Sequence, residues 1–198
     1  MKQLKTALAM QKPEYDFLYL NLLNYRQIGI LGHEKWKSDI SIHLITEKKS
    51  AIYEKSWRYA YKGIIPQDYL DAIPKGGCVK NFEIPGWSTM VCVENGEYIG
   101  TSSFCKSRFE QHPDSGEVIS IYLLPAFMGK GYGSKLLDAV MSELKNQGFT
   151  EVFLWVLEEN SIARRFYEKY GFQCSYDYLD DNIGGKDLRE VRYVYQFH

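Results

Sequence analysis

The sequence predicts a mixed α/β (α+β) domain with a mostly antiparallel central sheet of about seven strands and flanking helices. Three observations carry this reading. Segments of alternating and of helical hydrophobic periodicity interleave in the order β-α-α-β-β-β-α-β-α-β-β, with no internal repeat and no low-complexity stretch. Two strand-like segments are joined by Asn95-Gly96, a two-residue turn that needs positive φ and makes an antiparallel hairpin. The 198 residues are 45% hydrophobic and 25% charged, which supplies one full core and excludes a disordered or collagen-like chain.

Residues 1–38 read as an N-terminal helical extension, since Pro13 suits a first helical turn and Phe17, Leu18, Leu22 and Tyr25 recur at roughly helical spacing before Gly29 and Gly32. Its expected role is to lie on the main body, with partner binding as the alternative, and residues 39–198 form the domain proper. Ile40, Ile42 and Leu44 alternate with polar residues and predict a strand. Thr46 suits the N-cap of a helix that runs through Trp57 and Tyr61 to Gly63. Pro66 opens a short helix through Tyr69, Leu70 and Ile73, which the Pro- and Gly-containing residues 74–77 break. Residues 89–93 and 98–104 are the hairpin arms, and the polar residues 107–115 a loop. A strand over 117–124, a helix over 134–147, a strand over 151–157 and a helix over 161–170 follow. Strands over 172–179 and 188–197, separated by the turn-rich 180–185, complete the sheet.

Charge and composition exclude several function classes. The 24 Lys and Arg balance 25 Asp and Glu, and the basic residues are scattered, so no phosphate-binding footprint for nucleic acid is built. No apolar run approaches the ~20 residues that span a bilayer, and the apolar stretch after Lys5 is cut by Gln11 and Lys12, too short for a signal-peptide core. No membrane or nucleic-acid partner is expected, and the location expected is cytoplasmic. Cys78, Cys92, Cys105 and Cys174 show neither a CxxC pair nor a His at metal spacing, which predicts free thiols and no metal. With Asn95-Gly96 as the turn, Cys92 is expected opposite Ile99. Cys105 then lies about 20 Å further along at ~3.4 Å per residue, beyond the ~7 Å Cα reach of a disulfide.

The most informative stretch runs from Leu124 through Pro125, Phe127, Met128, Gly129, Lys130, Gly131, Tyr132 and Gly133 to Ser134, between a strand and an amphipathic helix. Glycines at a helix start let a backbone approach a ligand, and the unpaired amides there form an anion site, so a phosphate or pyrophosphate is the natural guest. The plainer alternative is a tight turn with glycines for close packing. The nucleotidase loop GxxxxGK[ST] is absent. A dinucleotide fingerprint would need an early strand and a GxGxxG spacing, whereas this loop lies two-thirds along the chain.

Gly129-Lys130-Gly131-Tyr132-Gly133, preceded by Ile121-Tyr122-Leu123-Leu124-Pro125, resembles the acetyl-CoA pyrophosphate loop of the GCN5-related N-acetyltransferases (GNAT). Asn160 through Ala163, Phe166, Tyr167, Glu168 and Lys169 to Gly171-Phe172 is similar to that family's NxxAxxFYEKxGF helix, and both halves stand in register. The resemblance covers about residues 40–198 and includes residues 56–66, similar to the first-helix region of bacterial members. It implies the GNAT fold and acetyl-CoA as acetyl donor. It also implies direct attack of a neutral primary amine, of a small molecule or a peptide, on the thioester. Such chemistry needs a donor clamp, a proton acceptor, an oxyanion donor and an acid for the thiolate. By resemblance, Ile121 and Tyr122 pair with the pantetheine arm as an added strand, and the Leu123 amide faces the thioester carbonyl. Gly129, Lys130, Gly131, Tyr132, Gly133 and Ser134 cradle the pyrophosphate, Asn160 contacts the arm, and Tyr167 protonates the thiolate.

Glu117 is the candidate base, because it shares parity with Leu123 and is expected on the same face; a solvated glutamate at a strand mouth is the alternative. Trp155 stands where the ribosomal-protein Nα-acetyltransferase branch carries a catalytic glutamate, and an indole has no comparable basic site, which disfavours that branch. Met128 departs from the family's Arg or Gln, which leaves Lys130 to supply positive charge. Trp57, Tyr61, Ile64 and Ile65 wall the acceptor pocket or are core, and His112 is expected exposed. The alternative function is a non-catalytic acyl-CoA-binding module of the same fold. A homodimer is a candidate assembly.

Overall fold

The structure, a computed structural model, describes residues 28–31, 42–74 and 84–198, with side chains over 48–74 and 84–198. In chain order the elements are β1 (Ile28–Leu31), α1 (Ile42–Ala60), α2 (Gln67–Asp71), β2 (Ser88–Glu94), β3 (Glu97–Lys106), β4 (Gly116–Leu123), a 3₁₀ turn (Pro125–Phe127), α3 (Tyr132–Asn146), β5 (Glu151–Leu157), α4 (Ser161–Tyr170), β6 (Gln173–Ile183) and β7 (Lys186–Gln196). Among the described residues the sheet has seven strands in the order β1-β2-β3-β4-β5-β7-β6. The β1/β2 and β4/β5 pairs are parallel and the rest antiparallel. The expected class and strand number therefore hold.

The first strand does not come from where the periodicity placed it. Ile42 and Leu44 lie in α1, not in a strand, and Ile28–Leu31, inside the expected helical extension, supplies the seventh strand by pairing with β2. Three alternating apolar residues make a weak strand signal. Ile42, Ile45, Lys49 and Ile52 also continue at helical spacing into the buried Ile52, Ser56 and Trp57, and the longer period wins. The remainder of the expected extension lies outside the described residues, as does Cys78.

Two helical layers bury the two sheet faces. On one, Leu136, Leu137, Val140, Met141 and Leu144 of α3 and Tyr167 of α4 pack with Ile99, Val118, Leu154, Val191 and Tyr193. On the other, Ile52 and Trp57 of α1 and Leu70 of α2 pack with Val91, Val93, Tyr98, Tyr122 and Leu157. The β6–β7 hairpin reaches this second layer. Its tip at Gly184 lies so close to Tyr69 of α2 that a Cβ there would approach the Tyr69 Cβ to 2.7 Å. Lys186 donates to the Ile64 carbonyl at 2.8 Å and pairs with Glu159 at 2.9 Å, tying hairpin, α1–α2 connection and β5–α4 connection together.

Two irregularities shape the site. The β2–β3 register shifts between Cys92 and Val93, which puts Cys92 opposite Gly100 rather than Ile99; Cys92, Cys105 and Cys174 are free thiols. The β3–β4 register shifts too, because Ser103 faces Ser120 while Phe104 faces Val118. Ile119 is the extra residue, a bulge that reverses side-chain parity along β4.

Candidate active site

β4 and β5 pair only from Gly116 opposite Val152 to Val118 opposite Leu154, and then separate. Beyond that point β4 remains bonded to β3, with Leu124 N–H donating to the Ile99 carbonyl at 2.8 Å. Backbone groups alternate sides along an antiparallel ladder, so the amides of Ser120 and Tyr122 face β3. Those of Ile121 and Leu123 face the gap that β5 has vacated. The gap is a free strand edge inside a sheet, the feature that accepts an extended, amide-bearing chain as an added strand. Tyr122, expected to share this pairing, turns its backbone away. The Leu123 carbonyl accepts from the Ser56 hydroxyl at 2.7 Å, which fixes the strand end to α1.

At the end of this edge stands the start of α3. Gly131 caps the helix at φ +86° with no side-chain cap, Gly129 has φ +73°, and the first helical bond runs from Lys135 N–H to the Gly131 carbonyl at 3.2 Å. The amides of Tyr132, Gly133 and Ser134 thus have no partner within the helix and converge on one point, a site for an anion. Gly133 allows the helix to meet the strand, since a Cβ there would lie 3.3 Å from Leu123 and 3.5 Å from Phe166. Lys130 is exposed, its ammonium 5.4 Å from the Phe127 ring, and the Lys135 ammonium lies 5.7 Å from the Tyr132 ring. The Tyr132 hydroxyl donates to Glu94, which raises its pKa. Met128, in extended conformation, brings no charge to this end.

Asn160 and Tyr167 lie at the two ends of α4's inner face. The Asn160 side-chain oxygen is the N-cap, accepting from Ala163 N–H at 3.1 Å, which leaves both donors of its amide NH2 for a ligand. Tyr167 is buried against Phe166, Phe172 and Tyr193, and burial raises the pKa of its phenol. Its hydroxyl makes no hydrogen bond to any described residue. It is near enough to Tyr61 and Tyr122, which belong to the opposite layer, to bear on their ionisation. The sheet is open between the layers where β4 and β5 part, and Tyr167 looks through that opening.

On the α1 side the gap is walled by aromatics. Tyr122 accepts from Trp57 Nε1 at 2.9 Å and from the Tyr61 hydroxyl, and Tyr53 lies edge-on to Tyr122 with centroids 4.9 Å apart. Trp57 and Ile65 are core, whereas Tyr61 and Ile64 are only partly covered, so the expected wall divides between packing and site.

Glu117 is not on the Leu123 face. The Ile119 bulge sends it to the α1 side, opposite Cys105 and Phe153, while Val118 joins Ile121 and Leu154 on the α3 side. There Glu117 is 1% exposed and closed in an ion pair. Its Oε2 accepts from Arg108 Nε at 3.0 Å and Arg108 N–H at 3.2 Å, and its Oε1 from the other arm of the same guanidinium at 2.5 Å. Arg108 also stacks on Trp87 at 5.0 Å. The neighbouring Cys105 thiol is pushed up to about 12 by burial and by the Glu117 charge. With both Glu117 oxygens taken up by the Arg108 guanidinium and backbone N–H, the carboxylate is poorly placed to meet a ligand. His112, expected exposed, is partly covered: its ring lies 5.4 Å from Phe153, and burial lowers its pKa.

A second glutamate faces the same region. Glu190 on β7 stands opposite Leu157 of β5 and Leu179 of β6, and burial together with Asp181 raises its pKa to about 7. No sequence signal marked it, because its strand also carries Lys186, Asp187, Arg189 and Arg192, and Glu190 reads as one more charge among them. The Trp155 Nε1–H and the Asp181 Oδ2 are buried without hydrogen-bond partners in the same neighbourhood of β5 to β7.

The profile of the Acetyltransferase (GNAT) family matches residues 50–172, more than half of the chain, and spans both the glycine loop and the Asn160–Phe172 region. The chain belongs to the GNAT family of acetyltransferases. Among its relatives is the uncharacterized N-acetyltransferase YuaI of Bacillus subtilis, 35% identical over 150 residues that make up 71% of this chain and 81% of that one. The [ribosomal protein bS18]-alanine N-acetyltransferase of Haemophilus influenzae is 33% identical over 60% of this chain and 80% of its own. Among solved structures, yncA of Salmonella typhimurium, a putative acetyltransferase with its cofactor acetyl-CoA, superposes with a TM-score of 0.55 at 22% identity over 77% of this chain and 90% of that one. This GNAT protein thus has the fold that its sequence motifs implied.

Proposed function

We propose that this protein transfers the acetyl group of acetyl-CoA directly to a primary amine of a small molecule or a peptide. The observation that carries the reading is the continuity of the free Ile121–Leu123 edge with the unpaired amides at Tyr132 to Ser134. One end suits the amide-bearing pantetheine arm and the other the pyrophosphate. The Leu123 amide is the donor for the oxygen that becomes negative when the amine adds to the thioester carbonyl. As the C–N bond forms and the C–S bond breaks, the leaving sulfur takes a proton from Tyr167. A raised phenol pKa keeps that proton in place at neutral pH, so the acid is always loaded. Glu117, through Arg108, holds the 107–115 loop and Trp87 at the acceptor side of the gap.

The acceptor belongs to the amine class. Trp155 still argues against the ribosomal-protein branch, despite the 33% identity to one of its members, because neither it nor the paired Glu117 supplies a free base on β5 or β4. Release of free thiol from acetyl-CoA against polyamines, aminoglycosides and N-terminal peptides tests the reading. Acceptor-dependent thiol with N-acetylated product supports it. A second reading, an acyl-CoA-binding module without turnover, is favoured by Met128 alone; binding without thiol release from any acceptor would establish it.

A further inference from the structure

We propose that Glu190 takes the ammonium proton of the acceptor amine, an assignment that rests on the acetyl-transfer reading above. In β7, Leu188 lies in the α1-side core and Arg192 lies over Phe153, with Arg192 Cζ 5.7 Å from that ring. Side chains alternate along a strand, so Glu190, between them, points to the same side. Its cross-strand partner Leu157 is the last residue of β5, well past Leu154, where β5 leaves β4. Glu190 therefore stands on the α1 side of the opening into which Tyr167 looks from the other layer.

The charged groups that act on it are Asp181 from β6, Glu117 from β4 and Arg108 from the 107–115 loop, and Glu190 in turn acts on Tyr61, just past the end of α1. Among the described residues it has neither a hydrogen bond nor an ion pair, in contrast to Glu117, whose oxygens are both occupied. Of the two glutamates facing this region, Glu190 is the one with lone pairs to spare. Burial, Asp181 and Glu117 outweigh the attraction of Arg108 and bring it to about 7, where a base is both substantially ionised and basic enough to accept a proton. The proton balance closes: Glu190 takes one proton from the ammonium and later gives it to water, which frees the nitrogen lone pair to form the C–N bond; as the C–S bond breaks, Tyr167 gives its proton to the sulfur and is reprotonated by the second N–H proton that the nitrogen loses in becoming an amide.

The test uses the full chain with spermidine, an alanine-terminated peptide and an aminoglycoside as probe amines, with thiol release followed across pH. For a probe that the wild type acetylates, kcat/KM falls below about pH 7 in the wild type. In Glu190→Gln it drops about 100-fold or more at pH 7, and the acidic limb shifts to the pKa of the amine itself. Repeating the profile with amines of different pKa separates the enzyme's limb from the substrate's. Glu117→Gln keeps an acidic limb, moved to lower pH by the loss of the Glu117 charge that helps to raise Glu190. Unchanged rate and limb in Glu190→Gln, or loss of the limb in Glu117→Gln alone, overturns the assignment and leaves acetyl transfer standing. Absence of thiol release by the wild type with every probe, while acetyl-CoA still binds, overturns both. A second measurement checks the folded variant: Glu190→Gln unfolds at a higher temperature than wild type at pH 8 and loses that advantage near pH 4. An equal shift at both pH values contradicts a perturbed, unpaired carboxylate at this position.

Discussion

At the residue scale, Tyr167 separates catalysis from binding. Tyr167→Phe removes one hydroxyl and keeps the ring among Phe166, Phe172 and Tyr193. It is expected to lower kcat by about 10²–10⁴-fold, the usual worth of a positioned proton donor, with acetyl-CoA affinity by calorimetry near wild type. An unaltered kcat would remove Tyr167 from the chemistry. Met128 is the opposite case, a residue that touches binding alone. Met128→Arg should tighten CoA binding by about 1–2 kcal/mol, the scale of one charge-assisted hydrogen bond. Unchanged affinity would mean that Lys130 or Lys135 already serves the pyrophosphate. The Arg108–Glu117 pair is structural. Arg108→Met leaves a carboxylate that is 1% exposed without its partner and should cost about 3–5 kcal/mol in urea unfolding. Glu117→Gln in the Arg108→Met background restores much of the loss. A cost below 1 kcal/mol would show the pair to be no more than a surface contact.

At the scale of elements, the glycine loop was legible because its function is written in backbone freedom. Gly129 and Gly131 adopt positive φ, and an anion site at a helix start needs those residue types at that spacing. Gly131→Val forces a β-branched residue to φ +86° and should abolish measurable CoA binding while the domain still unfolds cooperatively. Intact affinity in that variant would move the pyrophosphate elsewhere. The α3 and α4 helices were equally legible, since their apolar spacing states which face is buried. What sequence parity missed was a matter of register. One extra residue, Ile119, turns Glu117 away from Leu123 and reverses the inference drawn from counting residues. No local pattern marks such a bulge. The strand expected at residues 40–44 failed for another reason: three alternating apolar residues are a short pattern, and Ile42 and Ile45 also begin the helical spacing that runs on through Lys49 and Ile52. Glu190 was hidden because its role depends on which strand ends beside it, a fact of topology alone.

At the scale of the whole molecule, the account joins two layers through one opening. The acid sits in the α4 layer, the proposed base and the aromatic wall on the α1 side, and the free edge of β4 between them carries the donor. A ligand that fills this opening binds only the folded chain. Acetyl-CoA at 100 times its dissociation constant should therefore stabilise the protein by about 2.7 kcal/mol, read as a rise in melting temperature. Gly131→Val should show no such rise. The central claim, that the parted β4 and β5 strands and the α3 amides form an acetyl-transfer site, is tested most directly by one assay. Thiol release from acetyl-CoA is measured with and without each amine of the panel, and the acylated product is identified by mass. The account predicts thiol formed one-for-one with an N-acetylated amine, for at least one acceptor, and its loss in Tyr167→Phe. Tight acetyl-CoA binding with no acceptor-dependent thiol from any amine would contradict it.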